Sequence, residues 1–243
     1  MENEIFQNES RREFLKRAGF FALASSSLVA ANGACHAQTA QPSRTQERIV
    51  GGGCDGCAGM YEGMPEQLNW QTAVATASEP GEKLEISGIV YQLDGKTPAA
   101  DIIIYLWQTD LTGHYTPAAN TTGFARTHGH LRGWLRTNAK GEYKFTTIKP
   151  APYPNAVIPA HIHPSVKEPD KNEYYVEDFL FDDDRLLNRQ ERAKLENRGG
   201  SGILRLTKLD GVLVGRRNIT LGLNIPTISP TNLWPLGRSS DIV

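Results

Sequence analysis

From Lys83 onward, apolar and polar residues alternate in short runs separated by turn-forming residues, the period-2 pattern of half-buried strands. Leu84, Ile86 and Gly88 alternate with Glu85 and Ser87 before Asp94-Gly95 marks a turn. Asp101 to Trp107 is an almost unbroken apolar run, which predicts a strand buried on both faces. Tyr143, Phe145 and Thr147 alternate after the turn Asn138-Ala139-Lys140-Gly141. Further strands are predicted over Tyr174–Phe181, Gly202–Leu209 and Asn218–Leu223, with Asp210-Gly211 turning between the last two. Helical character is confined to Arg185–Asn197, which Gly199-Gly200 would stop. Strand after strand with Gly/Pro turns predicts an all-β protein: an antiparallel β-sandwich with one short helix, over residues 81–226. Residues 38–80, rich in Gly, Gln, Thr and Pro without periodicity, read as an extended arm, and residues 227–243 as a tail.

The N-terminus carries a different pattern. Ser10-Arg11-Arg12-Glu13-Phe14-Leu15-Lys16 is followed by an apolar stretch from Ala18 to Ala31 and small residues from Ala34 to Ala37. A charged start, a short apolar run and a small-residue site describe a signal peptide over residues 1–37, and the twin arginines point to the Tat route. The expectation is an exported protein, periplasmic or extracellular. The apolar run is too short to span a bilayer, so no membrane span is expected. Tat carries proteins already folded, which hints at a cofactor loaded before export. Cys54 and Cys57 sit in a glycine-rich loop and read as a small disulfide in an oxidising compartment. Half of a zinc site, or lipidation of Cys35, are the alternatives. A formal charge of -1 over 243 residues, with no basic block, argues against a nucleic-acid partner.

Candidate chemistry concentrates in Pro159-Ala160-His161-Ile162-His163. On a strand, residues two apart share a face, so both imidazoles point one way while Ile162 points the other. That spacing suits two ligands on one metal, although a pair of ordinary histidines has the same spacing. Upstream, Lys149-Pro150-Ala151-Pro152-Tyr153-Pro154 locks a tyrosine between prolines, which forces a rigid loop. Further upstream lies Gly113-His114-Tyr115-Thr116-Pro117, beyond Trp107-Gln108-Thr109-Asp110. Either tyrosine alone reads equally as a loop aromatic capping the core.

The order of these segments, spanning roughly residues 84–187, resembles the catalytic core of the intradiol ring-cleavage dioxygenases. The resemblance implies that Tyr115 and Tyr153 are tyrosinate ligands, and His161 and His163 histidine ligands, of iron(III). It also makes Tyr153 catalytic, as the ligand that leaves when substrate binds. Phenolate is a hard donor suited to iron(III), whereas zinc would favour thiolate and imidazole. The partners implied are a catechol-type aromatic and O2; whether the chain forms a homo-oligomer is left open.

The pattern also departs from the family. Ile158 stands where an arginine usually precedes Pro-Ala-His, Asn155 where tryptophan is common, and Asp178 where glutamine is usual. The lost arginine would stabilise charge developing on the ring. Arg126, Arg132 and Arg136 are surface arginines on the plain reading, and Arg132 is the candidate catalytic replacement. His114, His128 and His130 read as solvent-facing loop histidines, with the mouth of a pocket as the alternative. Asp182-Asp183-Asp184 reads as a solvated strand end or an N-cap before the helix at Arg185. The functional expectation is an iron(III) dioxygenase, with a binding module of little turnover as its rival.

Overall fold

The computed structural model describes residues 49–51, 56–119, 121–154 and 157–228. The proposed signal peptide, Cys35, Cys54, Asn155 and most of the C-terminal tail lie outside them. In chain order the strands are β1 (Ile49–Val50), β2 (Gln71–Ala73), β3 (Lys83–Tyr91), β4 (Ile103–Gln108), β5 (Arg132–Arg136), β6 (Glu142–Ile148), β7 (His161–Lys167), β8 (Tyr174–Tyr175) and β9 (Phe179–Phe181). They continue as β10 (Ile203–Leu204), β11 (Thr207–Leu209), β12 (Val212–Arg216), β13 (Ile219–Thr220) and β14 (Thr227–Ile228). Among the described residues there are two short α-helices, α1 (Gly123–Thr127) between β4 and β5 and α2 (Arg189–Lys194) between β9 and β10.

Two sheets enclose the core. One runs β10-β9-β7-β4-β5, with β8 on β7; the other runs β11-β12-β3-β6-β2, with β13 on β3. Inward residues of both sheets are fully buried, among them Leu84, Ile86, Ile104, Leu106, Phe145, Ile162 and Phe179. The period-2 alternation produces this: β3 and β6 bury every second side chain, and the intervening ones are partly exposed. Strand β4 is buried on both faces, as its apolar run predicts. Ile104 and Leu106 enter the core, while Tyr105 and Trp107 form a second cluster with Met60 on the outer face.

Several expectations need correction. The sheets are mixed: β12 and β13 run parallel to β3, β2 to β6, and β10 to β9. Crossover connections create these pairings, and residue alternation carries no record of strand direction. The predicted helix is shorter, beginning at Arg189 because Asn188, not the aspartate run, caps it by accepting from the N–H groups of Gln190 and Glu191. A second helix, α1, is present as well, its N-terminus capped from a distance by Glu62, which accepts from Ala125 N at 2.7 Å. The strand predicted over Tyr174–Phe181 divides into β8 and β9, while β12 lies between Asp210-Gly211 and the last predicted strand. A 3-10 helix, Cys57–Tyr61, begins at the second cysteine of the pair, where no helical residue was expected. Cys57 is buried and disulfide-bonded.

The described part of the arm, from Gly56 onward, packs onto the sheets. Its β2 pairs with β6 in one sheet, Lys144 N bonding Trp70 O at 2.9 Å. In the other sheet, Arg136 N of β5 bonds Asn69 O at 2.9 Å. Residues 69–73 therefore clasp the two sheets along one edge. On β3, Gly88 has no room for a side chain: a Cβ there would lie 1.6 Å from Arg217 O.

Phe145 is fully buried and meets Phe179 of the facing sheet edge to face, with ring centroids 5.5 Å apart. Phe145→Ala should therefore cost about 3–5 kcal/mol of unfolding free energy. Urea unfolding checks this; a loss below about 1 kcal/mol would place the ring outside the packed core.

Candidate metal centre

The site stands on the outer face of the β4–β7 pair. Trp107 is directly opposite His163, and Tyr105 opposite Ser165, so His161, His163, Tyr105 and Trp107 share that face. The intervening Ile162 is fully buried in the core. Strand β7 is pinned at its start by Asp184, whose carboxylate accepts from Ala160 N at 2.7 Å. The other two aspartates of the run bind cations instead, Asp182 pairing with Arg192 and Arg205 and Asp183 with Lys149.

Two loops bring the phenols in. Asp110 holds the Tyr115 loop, its carboxylate accepting from Thr112 N, His114 N and the hydroxyls of Thr112 and Thr116. Burial alone would raise its pKa, but these bonds outweigh it and hold the group down at about 2. The same Trp-Gln-Thr-Asp segment fastens the Tyr153 loop. Gln108 Nε2 donates to Ile148 O at 3.0 Å, Thr109 Oγ1 to Ala151 O at 2.7 Å, and Ala151 N to Asp110 O at 3.3 Å. The loops touch at Gly113, whose φ of +80° suits glycine, and a Cβ there would lie 2.2 Å from Pro152 O.

Four donor atoms close a ring. Tyr115 Oη is 2.8 Å from Tyr153 Oη and 3.0 Å from His163 Nε2; His161 Nε2 is 3.3 Å from Tyr153 Oη and 3.1 Å from His163 Nε2. Each imidazole has its other nitrogen occupied. His161 Nδ1 donates to Pro159 O at 2.6 Å, and His163 Nδ1 donates to Asp178 Oδ1 at 2.9 Å. A carbonyl and a carboxylate only accept, so both Nδ1 atoms carry the proton and both Nε2 atoms present lone pairs inward. Burial, then His163, depresses the pKa of His161 and keeps it neutral. Burial, followed by the Tyr153 hydrogen bond, pushes the Tyr115 phenol well above its ordinary range, which only a strong cation would reverse.

The donor set fits a metal ion. Atoms held about 2.0–2.1 Å from one small cation sit about 2.8–3.4 Å from each other, the spacing these four atoms already have. His161, His163 and Asp178 form a metal-capable cluster too, with ligand atoms within 4.8 Å. Asp178 faces Nδ1 of His163, away from Nε2, and so orients a ligand. Burial raises the Asp178 pKa, but the imidazole of His163 outweighs it and keeps the carboxyl below its ordinary range.

A cleft of about 610 Å3 opens over Tyr115, Tyr153 and His163. Trp107, His128 and Tyr175 form its aromatic wall, and Lys194 and Arg198 line it from the α2 side. Arg132 lines a separate concavity with Glu62, donating to Gly59 O and Tyr105 Oη beneath the Trp134 ring. Ile158 is 44% exposed and lines no part of the cleft. His128 is buried, correcting its reading as a solvent histidine, whereas His130 pairs with Glu79 at 3.1 Å. Sequence reasoning also missed Trp107, Tyr175 and the role of Asp178; the register of β4 on β7 puts Trp107 there. Among the described residues, no helix is long and apolar enough to cross a membrane.

Comparison with known proteins places this geometry in a family context. A family model described as Dioxygenase matches residues 58–196. The chain is 32% identical over 99 residues to the protocatechuate 3,4-dioxygenase beta chain of Burkholderia cepacia, covering 38% of this chain and 42% of that protein. It is 27% identical over 169 residues to catechol 1,2-dioxygenase 2 of Acinetobacter lwoffii, covering 51% and 58%. The chain thus spans about half the length of the curated relatives it matches. The fold is similar to that of 3-chlorocatechol 1,2-dioxygenase from Rhodococcus opacus 1CP, with a TM-score of 0.50 at 24% identity over 65% of this chain and 67% of that one. A chlorocatechol 1,2-dioxygenase from Pseudomonas putida gives 0.50 at 20% identity, with the same 65% and 67% coverage.

Two predictions follow from the geometry. Gly113→Ala should part the two tyrosine loops and lower metal affinity at least tenfold, about 1.4 kcal/mol or more, as read by competition with a chelator; unchanged affinity would mean the contact at Pro152 does not set the site. The second concerns acid. Burial, then Arg132 and His163, holds the His128 pKa at about 4, below its usual 6.5. The fold therefore binds fewer protons than the unfolded chain between those values. Its contribution is complete above about pH 6.5 and is lost as pH falls toward about 4. His128→Phe should flatten the stability profile in that window, measured by urea unfolding at stepped pH, and a profile as steep as the parent's would refute the assignment.

Proposed function

This chain belongs to the intradiol ring-cleavage dioxygenases of the catechol and protocatechuate type, and from that premise we propose that it is a non-haem iron(III) enzyme acting on a catechol-type aromatic. Both atoms of O2 enter the product, and the bond between the two hydroxyl-bearing carbons breaks to give a muconate-type diacid. The observation that carries this reading is the ring of two phenol oxygens and two imidazole nitrogens, 2.8–3.3 Å apart, beneath the cleft.

Tyr115, Tyr153, His161 and His163 would hold the metal. Bound iron(III) would acidify phenol and catechol hydroxyls and draw electron density from the aromatic ring, opening it to O2. The remaining work falls to the protein. Asp178 and Pro159 O keep both Nε2 lone pairs aimed inward. Tyr153 Oη lies within 3.3 Å of His161 and 2.8 Å of Tyr115, where it can accept a proton from an incoming catechol hydroxyl. Trp107, stacked on His163 with centroids 4.9 Å apart, offers the substrate ring an apolar wall. We also propose that residues 1–37 direct export by the Tat route.

One observation favours a second reading, a catechol- and iron-binding module with little turnover. Ile158 replaces the expected arginine without lining the cleft, and the guanidinium of Arg132 lies in a different concavity.

The iron-loaded protein should show a visible phenolate-to-iron band that shifts when catechol is added without air. On admitting air, one O2 should be consumed per catechol with formation of a diacid. A colourless iron-bound protein would sink the tyrosinate assignment; a spectral shift with no oxygen uptake would select the binding module.

A further inference from the structure

We propose that His128 is a specificity-determining hydrogen-bond donor that selects catechol rings carrying an oxygen acceptor as a substituent. The inference rests on reading the cleft as a catechol site.

Three rings stand in a row along the cleft wall. His128 lies flat on Trp107, with centroids 4.4 Å apart and planes 12° apart, and Trp107 stacks in turn on His163 at 4.9 Å. His163 is at the metal end of the row, and His128 at the far end, where a substituent on a metal-held ring would project. His128 is only 6% exposed yet lines the cleft.

Its neighbours dictate its tautomer. His128 Nδ1 lies 2.8 Å from Tyr105 Oη, and Tyr105 is fully buried. Among the described residues the other polar partner of that phenol is Arg132 Nη1, at 3.4 Å, which can only donate. The phenol proton therefore has one acceptor, His128 Nδ1, and the imidazole proton sits on Nε2. Arg132, Tyr105 and His128 form a chain of donors that ends in an Nε2–H. Gly56 stands against that edge of the imidazole, where a Cβ would lie 2.9 Å from Nε2, so only glycine leaves Nε2 room there. Burial, with Arg132 and His163 nearby, keeps the ring neutral above about pH 4. A neutral donor of fixed direction recognises a carbonyl, carboxylate or ether oxygen and gains nothing from a methyl group. In this scheme Arg132 and Tyr105 are positioning residues.

The test uses the full iron-loaded protein, titrated without air with 3,4-dihydroxybenzamide and with 4-methylcatechol while the visible spectrum is followed. In His128→Phe the affinity ratio of amide to methyl should fall about tenfold relative to the parent. His128→Gln, which retains an N–H donor, should recover part of it. Tyr105→Phe, which frees the tautomer, should lower the ratio about threefold. This variant carries the test if His128→Phe does not fold by circular dichroism. A folded variant with an unchanged ratio would overturn the proposal and leave His128 as a structural partner of Tyr105. A parent protein whose spectrum responds to neither catechol would overturn the functional reading, and this one with it.

Discussion

Two imidazole nitrogens 3.1 Å apart with no proton between them are the constraint on which the rest of the site depends. Pro159 O and Asp178 take the only ring protons, so the Nε2 lone pairs face each other across the space that the two phenols complete. Such an arrangement disfavours itself unless something positive is shared. The tyrosine hydroxyls can satisfy it with their protons, but burial has made the Tyr115 phenol a poor acid, and a cation does the same work while ionising it. Substituting Asp178 for the expected glutamine makes this stronger: a carboxylate behind His163 fixes the tautomer and makes the ring a better electron donor.

The sandwich supplies what the ligands lack on their own, which is register. A shift of one residue between β4 and β7 would turn His161 and His163 into the core and Ile162 outward. The aromatic pairing of Trp107 with His163 and the burial of Ile162 on opposite faces both oppose it. The loops are less regular but equally determined: one glutamine, one threonine and one aspartate in succession hold the proline-rich loop and the Tyr115 loop to the same strand end. The site's geometry is thus written into the exit of β4.

Much of this was legible in the amino-acid pattern. The alternation of Leu84-Ile86 and Tyr143-Phe145 identified the core strands, and the His-x-His spacing identified a shared face. Strand direction was not legible, because a parallel and an antiparallel neighbour bury the same residues; hence the mixed sheets. Nor was the location of the Arg132 side chain, since its alternation assigns it to the outer face without saying which hollow it fills. His128 was misread because a histidine between a short helix and a glycine looks like a loop residue. Only tertiary packing slides it beneath Tyr105 and onto Trp107. Asp178 stood out as a departure from the family, and its purpose became plain only when His163 was seen to donate to it.

The clasp at residues 69–73 bears on how the molecule is made. It bonds Arg136 of one sheet and Lys144 of the other, so the surface it closes comes into being long after the clasp has been synthesised. Still later, β1 must wait for Thr227 and Ile228, its antiparallel partners near the far end of the described chain. These are contacts of high sequence separation, and such contacts slow folding because the intervening chain must first be ordered. Until β12 and β13 are made, a ribosome-bound intermediate carries an unpaired β3 edge, the kind of exposed strand on which aggregation starts. The candidate metal centre is complete in sequence by Asp184, so its ligands are made before the strands β10 to β14 that finish the sheets.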